Sequence, residues 1–319
     1  MGLPARKLFS QAPRDKDGQA VMESVTLRVV NGDETTDRPV KERSTADQVQ
    51  PDQVQPSQAQ PGQAPSGHAP AAGLPILPPL ELTPQLQAEL RERSQALETA
   101  SPQDILRWAT SRFGERFTMA TAFGPEGMVL IHMLAEIAPT TRIFNLDTGY
   151  QFPETLELRE RVLQRYGIAV EMHRAEQTVE QYEAAHGGPV YKSNPDKCCA
   201  DRKLAVLQRS VIGMHAWASA IRRDQSPDRA QAPIVGWDKK FSLVKVSPLA
   251  NWTKKDVWKL IVEHDVPYNP LHDRGYPSIG CWPCTRAVLL GEDERAGRWS
   301  GFQKTECGLH TLEDSSTNK

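Results

Sequence analysis

RFTMATAFGPEGMVLIHMLAEI, running from Arg116 to Ile137, decides how this chain folds. RFTMATAF reads as a strand, GPEG turns the chain, and MVLIHMLAEI is an apolar helix. The same unit recurs downstream. TRIFNLD (Thr141–Asp147) is a second strand, followed by a helix from Pro153 to about Gly167. IAVEMH (Ile168–His173) is a third strand with another helix behind it, and HAWASAI (His215–Ile221) is a further buried strand. Upstream, LTPQLQAELRERSQALE sets Leu82, Leu86, Leu90 and Leu97 near one helical face. SPQDILRWATSRF opens with a Ser-x-x-Asp cap and a proline at the first helical position. TKKDVWKLIVEH carries the same kind of start in Thr253 and Asp256. Strands alternating with helices over short connections predict an α/β fold, a mostly parallel sheet with helices on both faces.

Such a sheet binds ligands at the carboxyl ends of its strands. TAFGPEG (Thr121–Gly127) runs from a strand straight into a helix, whose first backbone amides suit an anion. Thr121, Phe123 and Gly124 are the candidate contacts in this turn. NLDTGYQFPET (Asn145–Thr155) ends the next strand and offers Asp147 and Thr148. Either turn alone is a weak signal, because a glycine turn before a helix is common.

The 319 residues suffice for one large domain and a tail. Residues 1–78 lack sustained apolar periodicity and contain the pentapeptide repeat DQVQPDQVQPSQAQP (Asp47–Pro61). That composition buries too little apolar surface to offset the entropy of ordering, so a disordered tail is expected. The α/β domain is expected over 79–284. A mobile C-terminal segment follows over 285–319, where GEDERAGRWSGF is rich in glycine and charge. A net charge of −2 gives no global pull toward nucleic acid or a membrane surface. No apolar run reaches roughly 18 residues, and no basic start leads into an apolar leader. An odd cysteine number with Cys-x-x-Cys spacing fits a reducing cytoplasm.

The five cysteines divide into four and one. KCCADRK holds Cys198 and Cys199, GCWPCTR holds Cys281 and Cys284, and ECGLH holds Cys307. A Cys-x-x-Cys pair puts two sulfurs on one side of a tight turn, as a metal centre requires. Adjacent cysteines diverge by about 100° on a regular helix, so both reach one centre only at a helix end or kink. Zinc sites usually space the first pair by two to four residues. A cubane has separate iron corners that neighbouring cysteines can serve, which favours a 4Fe–4S cluster over zinc. The plainer alternative is one buried pair with two incidental core thiols.

Together these motifs resemble the assimilatory sulfonucleotide reductases, the adenylyl-sulfate and phosphoadenylyl-sulfate reductase family. The resemblance runs from about Leu80 to the C-terminus. It rests on the two cysteine pairs, LDTG (Leu146–Gly149), IRRDQS (Ile221–Ser226), DRGYPSIGCWPCTR (Asp273–Arg286) and ECGLH (Glu306–His310). It implies the adenine-nucleotide fold of the PP-loop superfamily. TAFGPEG lacks the paired glycines and the Asp-Ser of ATP-cleaving members, which argues for a sulfonucleotide. The four-cysteine set is similar to that of the iron–sulfur members, which typically use adenosine 5′-phosphosulfate (APS). By the same resemblance Cys198, Cys199, Cys281 and Cys284 are the 4Fe–4S ligands and Cys307 is the nucleophile. Lys203, Arg229, Arg295 and Arg298 are then the cationic substrate contacts, and Arg222 is a further candidate beside Arg223.

The implied activity is thioredoxin-dependent reduction of APS to sulfite and AMP, in sulfate assimilation, through a Cys307 S-sulfonate. A free thiol near pKa ~8.5 needs a nearby cation to favour its thiolate. Guanidinium groups suit phosphate and sulfate because they donate two parallel hydrogen bonds. With no sixth cysteine to resolve the sulfonate, an external dithiol is required, thioredoxin or glutaredoxin. A homo-oligomer is compatible with this reading. His310 reads as a surface histidine and His132 as a core one. The competing expectations are a phosphoadenylyl-sulfate (PAPS) reductase with the same mechanism, an ATP-dependent PP-loop adenylating enzyme, and a cluster-bearing sensor in which Cys307 is idle.

Overall fold

The computed structural model describes residues 78–304 and 306–309, all within one compact unit, Ser66–Lys319. Apart from residue 78, the expected tail lies outside the described residues, and so does His310.

Six strands form one sheet: β1 (Phe117–Thr121), β2 (Arg142–Asp147), β3 (Glu171–Arg174), β4 (Ala216–Ala218), β5 (Val235–Asp238) and β6 (Leu243–Val246). Their order is β3-β2-β1-β4-β6-β5. Met119 of β1 aligns with Ile143 of β2 on one side and Ala218 of β4 on the other, both parallel. The β2–β3 and β4–β6 pairs are parallel too, while β5 runs antiparallel to β6. The helices are α1 (Pro84–Ala96), α2 (Pro102–Phe113), α3 (Pro125–Ile137), α4 (Pro153–Tyr166), α5 (Val179–Ala185), α6 (Val190–Ser193), α7 (Pro195–Cys199), α8 (Ala205–Ser210) and α9 (Lys254–Glu263). The expected mostly parallel α/β sheet is the one that forms. The β5–β6 hairpin had no sequence signal, because its strands are short and its turn is held by Asp238 rather than by Asn-Gly. Asp238 Oδ1 accepts from the Lys240 amide at 3.2 Å.

Successive residues of a strand point to opposite faces, and the two faces bury different clusters. Met119, Ile143, Ala218 and Val244 join Leu90 of α1, Ile105 of α2, Leu130 of α3, Leu158 of α4 and Val257 of α9. Phe144, Leu146, Trp217 and Leu243 join Val206 and Leu207 of α8 on the other face. Helices therefore cover both sides. The caps follow the sequence: Ser101 accepts from the Asp104 amide at 3.1 Å, and Thr253 with Asp256 closes a reciprocal box on α9.

The connections then create the crevice. From β1 the chain moves outward through β2 to β3, and next crosses to β4 on the opposite side of β1. In open α/β sheets this reversal opens a cleft at the carboxyl ends of the two strands. A Cβ at Gly127 would lie 2.8 Å from Thr121 Oγ1, so glycine lets the first turn of α3 close onto the end of β1.

Candidate active site

A cavity of about 220 Å³ lies at that reversal, walled by Thr121 and Ala122 at the end of β1 and by Ser219, Ala220 and Ile221 after β4. Thr121, Gly124, Lys203, Arg229, Arg295, Arg298 and Cys307 all line it. These residues span nearly 190 positions of the chain, from Thr121 to Cys307; the topology, not proximity in sequence, assembles them.

Four expected contacts lie elsewhere. The Phe123 amide donates to Thr121 Oγ1 at 3.0 Å, and Phe123 takes a φ of 55°. That bend sends its ring into the main core, 1% exposed, rather than into the cavity. Asp147 accepts from Arg174 Nε at 2.6 Å and from the Gly149 amide at 2.9 Å, which folds the turn after β2. Thr148 Oγ1 lies 3.3 Å from Cys281 Sγ, so it faces the cysteine turn. Arg222 is enclosed by Glu126 and Asp224. Its companion Arg223 holds Glu98, Asn251 and the Ala232 carbonyl. Both arginines of IRRDQS are therefore committed to internal carboxylates, and neither lines the cavity.

Cys307 is partly buried and unpaired in any disulfide. Burial opposes its thiolate, but Lys203, the backbone of Leu309 and Arg298 outweigh burial, and its pKa is lowered. Lys203 sits among cysteine sulfurs. Burial would neutralise it, yet Cys281, Cys307 and Cys199 favour its ammonium form and raise its pKa. The local fold explains this position. Asn194 caps α7 by accepting from the Lys197 amide at 2.9 Å, and α7 ends on Cys198 and Cys199. The chain then widens into a π-helical turn, Ala200–Leu204, which carries Lys203. Such turns are often found at functional sites. Adjacent cysteines at a helix end followed by a π turn meet the geometric condition that their spacing imposed.

Cys198, Cys199, Cys281 and Cys284 line a second, smaller cavity together with Lys203 and Arg298. The Cys281–Cys284 turn is anchored to the turn after β2 by the Trp282 amide, which donates to the Tyr150 carbonyl at 2.7 Å. Burial and then neighbouring sulfurs push the Cys198 thiol up to about 12 and the Cys284 thiol up to about 11. Among the described residues, no three His, Cys, Asp or Glu side chains are grouped as a single-ion site.

Several cavity residues escaped the sequence. Glu126 and Glu306 line it, as do Gln151 and His272. His272 Nε2, Gln151 Oε1 and Arg298 Nε are buried without a hydrogen-bond partner among the described residues. Orphaned polar atoms on residues that line one cavity suit a polar ligand. Burial pushes His272 down to about 4, so its ring is neutral. Its only signal in sequence is a histidine two residues after Pro270, which carries no chemistry by itself.

The chain matches the family model described as "Phosphoadenosine phosphosulfate reductase domain" over residues 116–287. It is 46% identical over 227 residues to a phosphoadenosine 5′-phosphosulfate reductase of Gloeobacter violaceus, covering 70% of this chain and 94% of the relative. It is 48% identical over 208 residues to adenosine 5′-phosphosulfate reductase 2 of Bacillus subtilis, covering 65% of this chain and 88% of the relative. The fold is similar to the crystal structure of a phosphoadenylyl-sulfate reductase from Candida auris in its phosphate complex. That similarity has a TM-score of 0.58 at 29% identity and covers 66% of this chain and 100% of the other. No helix among the described residues is long and apolar enough to cross a membrane.

Proposed function

The chain belongs to the phosphoadenosine phosphosulfate reductase domain family, and from that premise we propose that it reduces APS to sulfite and AMP. The observation that carries this reading is Cys307, its thiolate favoured by Lys203 and Arg298, facing a cation-lined cavity at the sheet's reversal.

The Cys307 thiolate attacks the sulfur of the sulfo-phosphate anhydride. A sulfur–sulfur bond forms, the sulfur–oxygen bond to phosphate breaks, and AMP leaves with the electron pair. Cys307 is left as an S-sulfonate. Lys203, Arg295 and Arg298 offset the charge of two anions brought together, and Arg229 completes the cationic wall. A thiolate of thioredoxin or glutaredoxin then attacks Cys307 Sγ and releases sulfite, and the second thiol of that dithiol resolves the mixed disulfide. The dithiol supplies both electrons, and the five free cysteines suit a reducing cytoplasm.

The resident group we propose is a 4Fe–4S cluster held by Cys198, Cys199, Cys281 and Cys284. Four free thiols from two segments facing one cavity fit its donor set. When bound, it supplies a charged centre next to Lys203 that orders the pocket. APS is preferred over PAPS on the strength of that thiol set, and relatives named for each substrate are found.

Intact mass of anaerobically purified protein, mixed with APS or PAPS without reductant, tests the reading. A sulfonate of about 80 Da mapped to Cys307 with APS is expected. Reaction with PAPS alone would overturn the substrate, and no adduct with either in iron-retaining protein would overturn the mechanism.

A further inference from the structure

Glu306 stands beside the nucleophile and is 2% exposed at its side chain. Its Oε1 accepts from Arg229 Nε at 2.8 Å and its Oε2 from Arg229 Nη2 at 2.9 Å, a two-pronged fork. Arg295 Nη2 lies 3.3 Å from the same Oε2, and Ser226 Oγ donates to Oε1 at 3.4 Å. Arg229 and Arg295 face the cavity together with Glu306. The fork that holds a carboxylate is the geometry by which arginine holds a phosphate or sulfate.

We propose that Glu306 is the cavity's internal anion: its carboxylate occupies the guanidinium seats of Arg229 and Arg295, and a substrate oxyanion binds by displacing it. The inference deepens the reductase reading and rests on it. Two consequences follow. A ligand without an oxyanion has nothing to exchange for the carboxylate, so Glu306 selects for charged nucleotides over nucleosides. The same pair also latches the nucleophile's segment, because Glu306 immediately precedes Cys307. Once the carboxylate is displaced, that segment loses its buried two-pronged fork. It keeps the ion pair of Lys304 with the exposed Asp196, the stacking of Lys304 on Trp299, the bond from Lys240 Nζ to the Gly308 carbonyl at 2.7 Å and the packing of Leu309 on the Phe144–Trp217 cluster. Substrate binding therefore loosens the segment that a reducing partner must later reach.

Calorimetric titration of full-length, anaerobically purified Cys307→Ser protein with APS, AMP and adenosine supplies the reference, because that variant cannot react. Adding Glu306→Gln removes the competing charge while keeping the shape. About tenfold tighter binding of APS, alone or together with AMP, with adenosine unmoved, is expected; APS alone would identify the sulfonate as the displacing group, and both would identify the phosphate. A residue that merely supported the fold would leave affinity unchanged or weaken it, and either result overturns the proposal. Should Glu306→Gln lose its cooperative melting transition, Glu306→Asp serves: it retracts the carboxylate by one methylene, so tighter APS binding is again expected and equal or weaker binding refutes. Failure of the reference protein to bind APS at all would sink the reductase reading. APS binding that ignores Glu306 sinks only the exchange.

Discussion

Gly280 is a glycine because Arg298 occupies the space where a side chain would be. A Cβ there would lie 2.2 Å from Arg298 Nη2 and 2.5 Å from its Cζ. Nonbonded carbon and nitrogen need about 3.5 Å, so Gly280→Ala moves the guanidinium by roughly 1 Å. The backbone at Gly280 is outside the left-handed region, so alanine is tolerated there, and the displaced group is the end of a flexible side chain. Stability should therefore change by less than about 1 kcal/mol. The chemistry has less slack. Arg298 lines the cavity, favours the Cys307 thiolate, and has a buried Nε with no hydrogen-bond partner among the described residues. Losing one charge-assisted hydrogen bond costs about 1.5–3 kcal/mol, or about 10–150-fold in rate.

The assay is single-turnover S-sulfonation of Cys307 by APS under anaerobic quench, in wild type, Gly280→Ala, Arg298→Ala and the double variant. Because the alanine acts through Arg298, the double variant should be no slower than Arg298→Ala alone, and the coupling should equal the whole effect of Gly280→Ala. A wild-type rate for Gly280→Ala, or additive losses in the double variant, would refute the reasoning.

Lys203→Met should move the pH midpoint of Cys307 alkylation upward. The native thiolate persists to lower pH because Lys203 favours it, so a midpoint that stays put would show that another group sets it. The hydrogen bond from His173 and then the Arg142 fork hold Glu171 down to about 2. A depressed carboxylate stabilises the fold above its unfolded value of about 4.3 and loses that contribution as pH falls toward 2. Glu171→Gln should thus lower the urea midpoint at pH ~7 and match wild type near pH ~2; because Glu171 is 45% exposed, the gap should be about 1 kcal/mol rather than the full shift. Iron and acid-labile sulfide should each approach about four per chain in anaerobic preparations, and serine at Cys198, Cys199, Cys281 or Cys284 should lower both. Full iron retention in all four variants, or zinc in place of iron, would remove the cluster.

What the sequence made legible was local. The caps at Ser101 and Thr253 announce α2 and α9 because each needs only residues three positions apart. The apolar runs of β1 and β2 announce a doubly covered sheet because both faces are buried. The cysteine pairs were legible for the same reason, being defined by spacing. Partner choice was not. Arg222 and Arg229 look alike in IRRDQSPDR, but one meets Glu126, 96 residues away, and the other meets Glu306, 77 residues away. Nothing in the motif distinguishes an arginine neutralised beneath the cavity from one that lines it. Asp147 is the same kind of case: a carboxylate at a strand's carboxyl end suggests a ligand contact, and here Arg174 from the adjacent strand engages it.

The two cavities have a common wall, and that wall constrains how the protein works. Lys203, Cys281, Arg298 and Trp299 line both. Trp299 holds the Arg298 guanidinium, whose Cζ lies 4.4 Å from the ring centre, a contact that positions the cation without neutralising it. Cys284 and Cys307 therefore draw on the same two cations, and Cys199 shares Lys203 with them. Negative charge on the cysteine side favours the ammonium of Lys203, and a charged Lys203 favours the thiolate of Cys307. The coupling runs through an electrostatic contact and requires no electron to cross. It also explains the π turn. Cys199 and Lys203 are four residues apart, and a regular α-helix would stack both on one face. The widened turn lets α7 end on its two cysteines while Lys203 joins the wall that both cavities share. A pocket that must bring an anionic nucleotide to an anionic sulfur gains from a cation held charged by its neighbours, even where burial alone would discharge it.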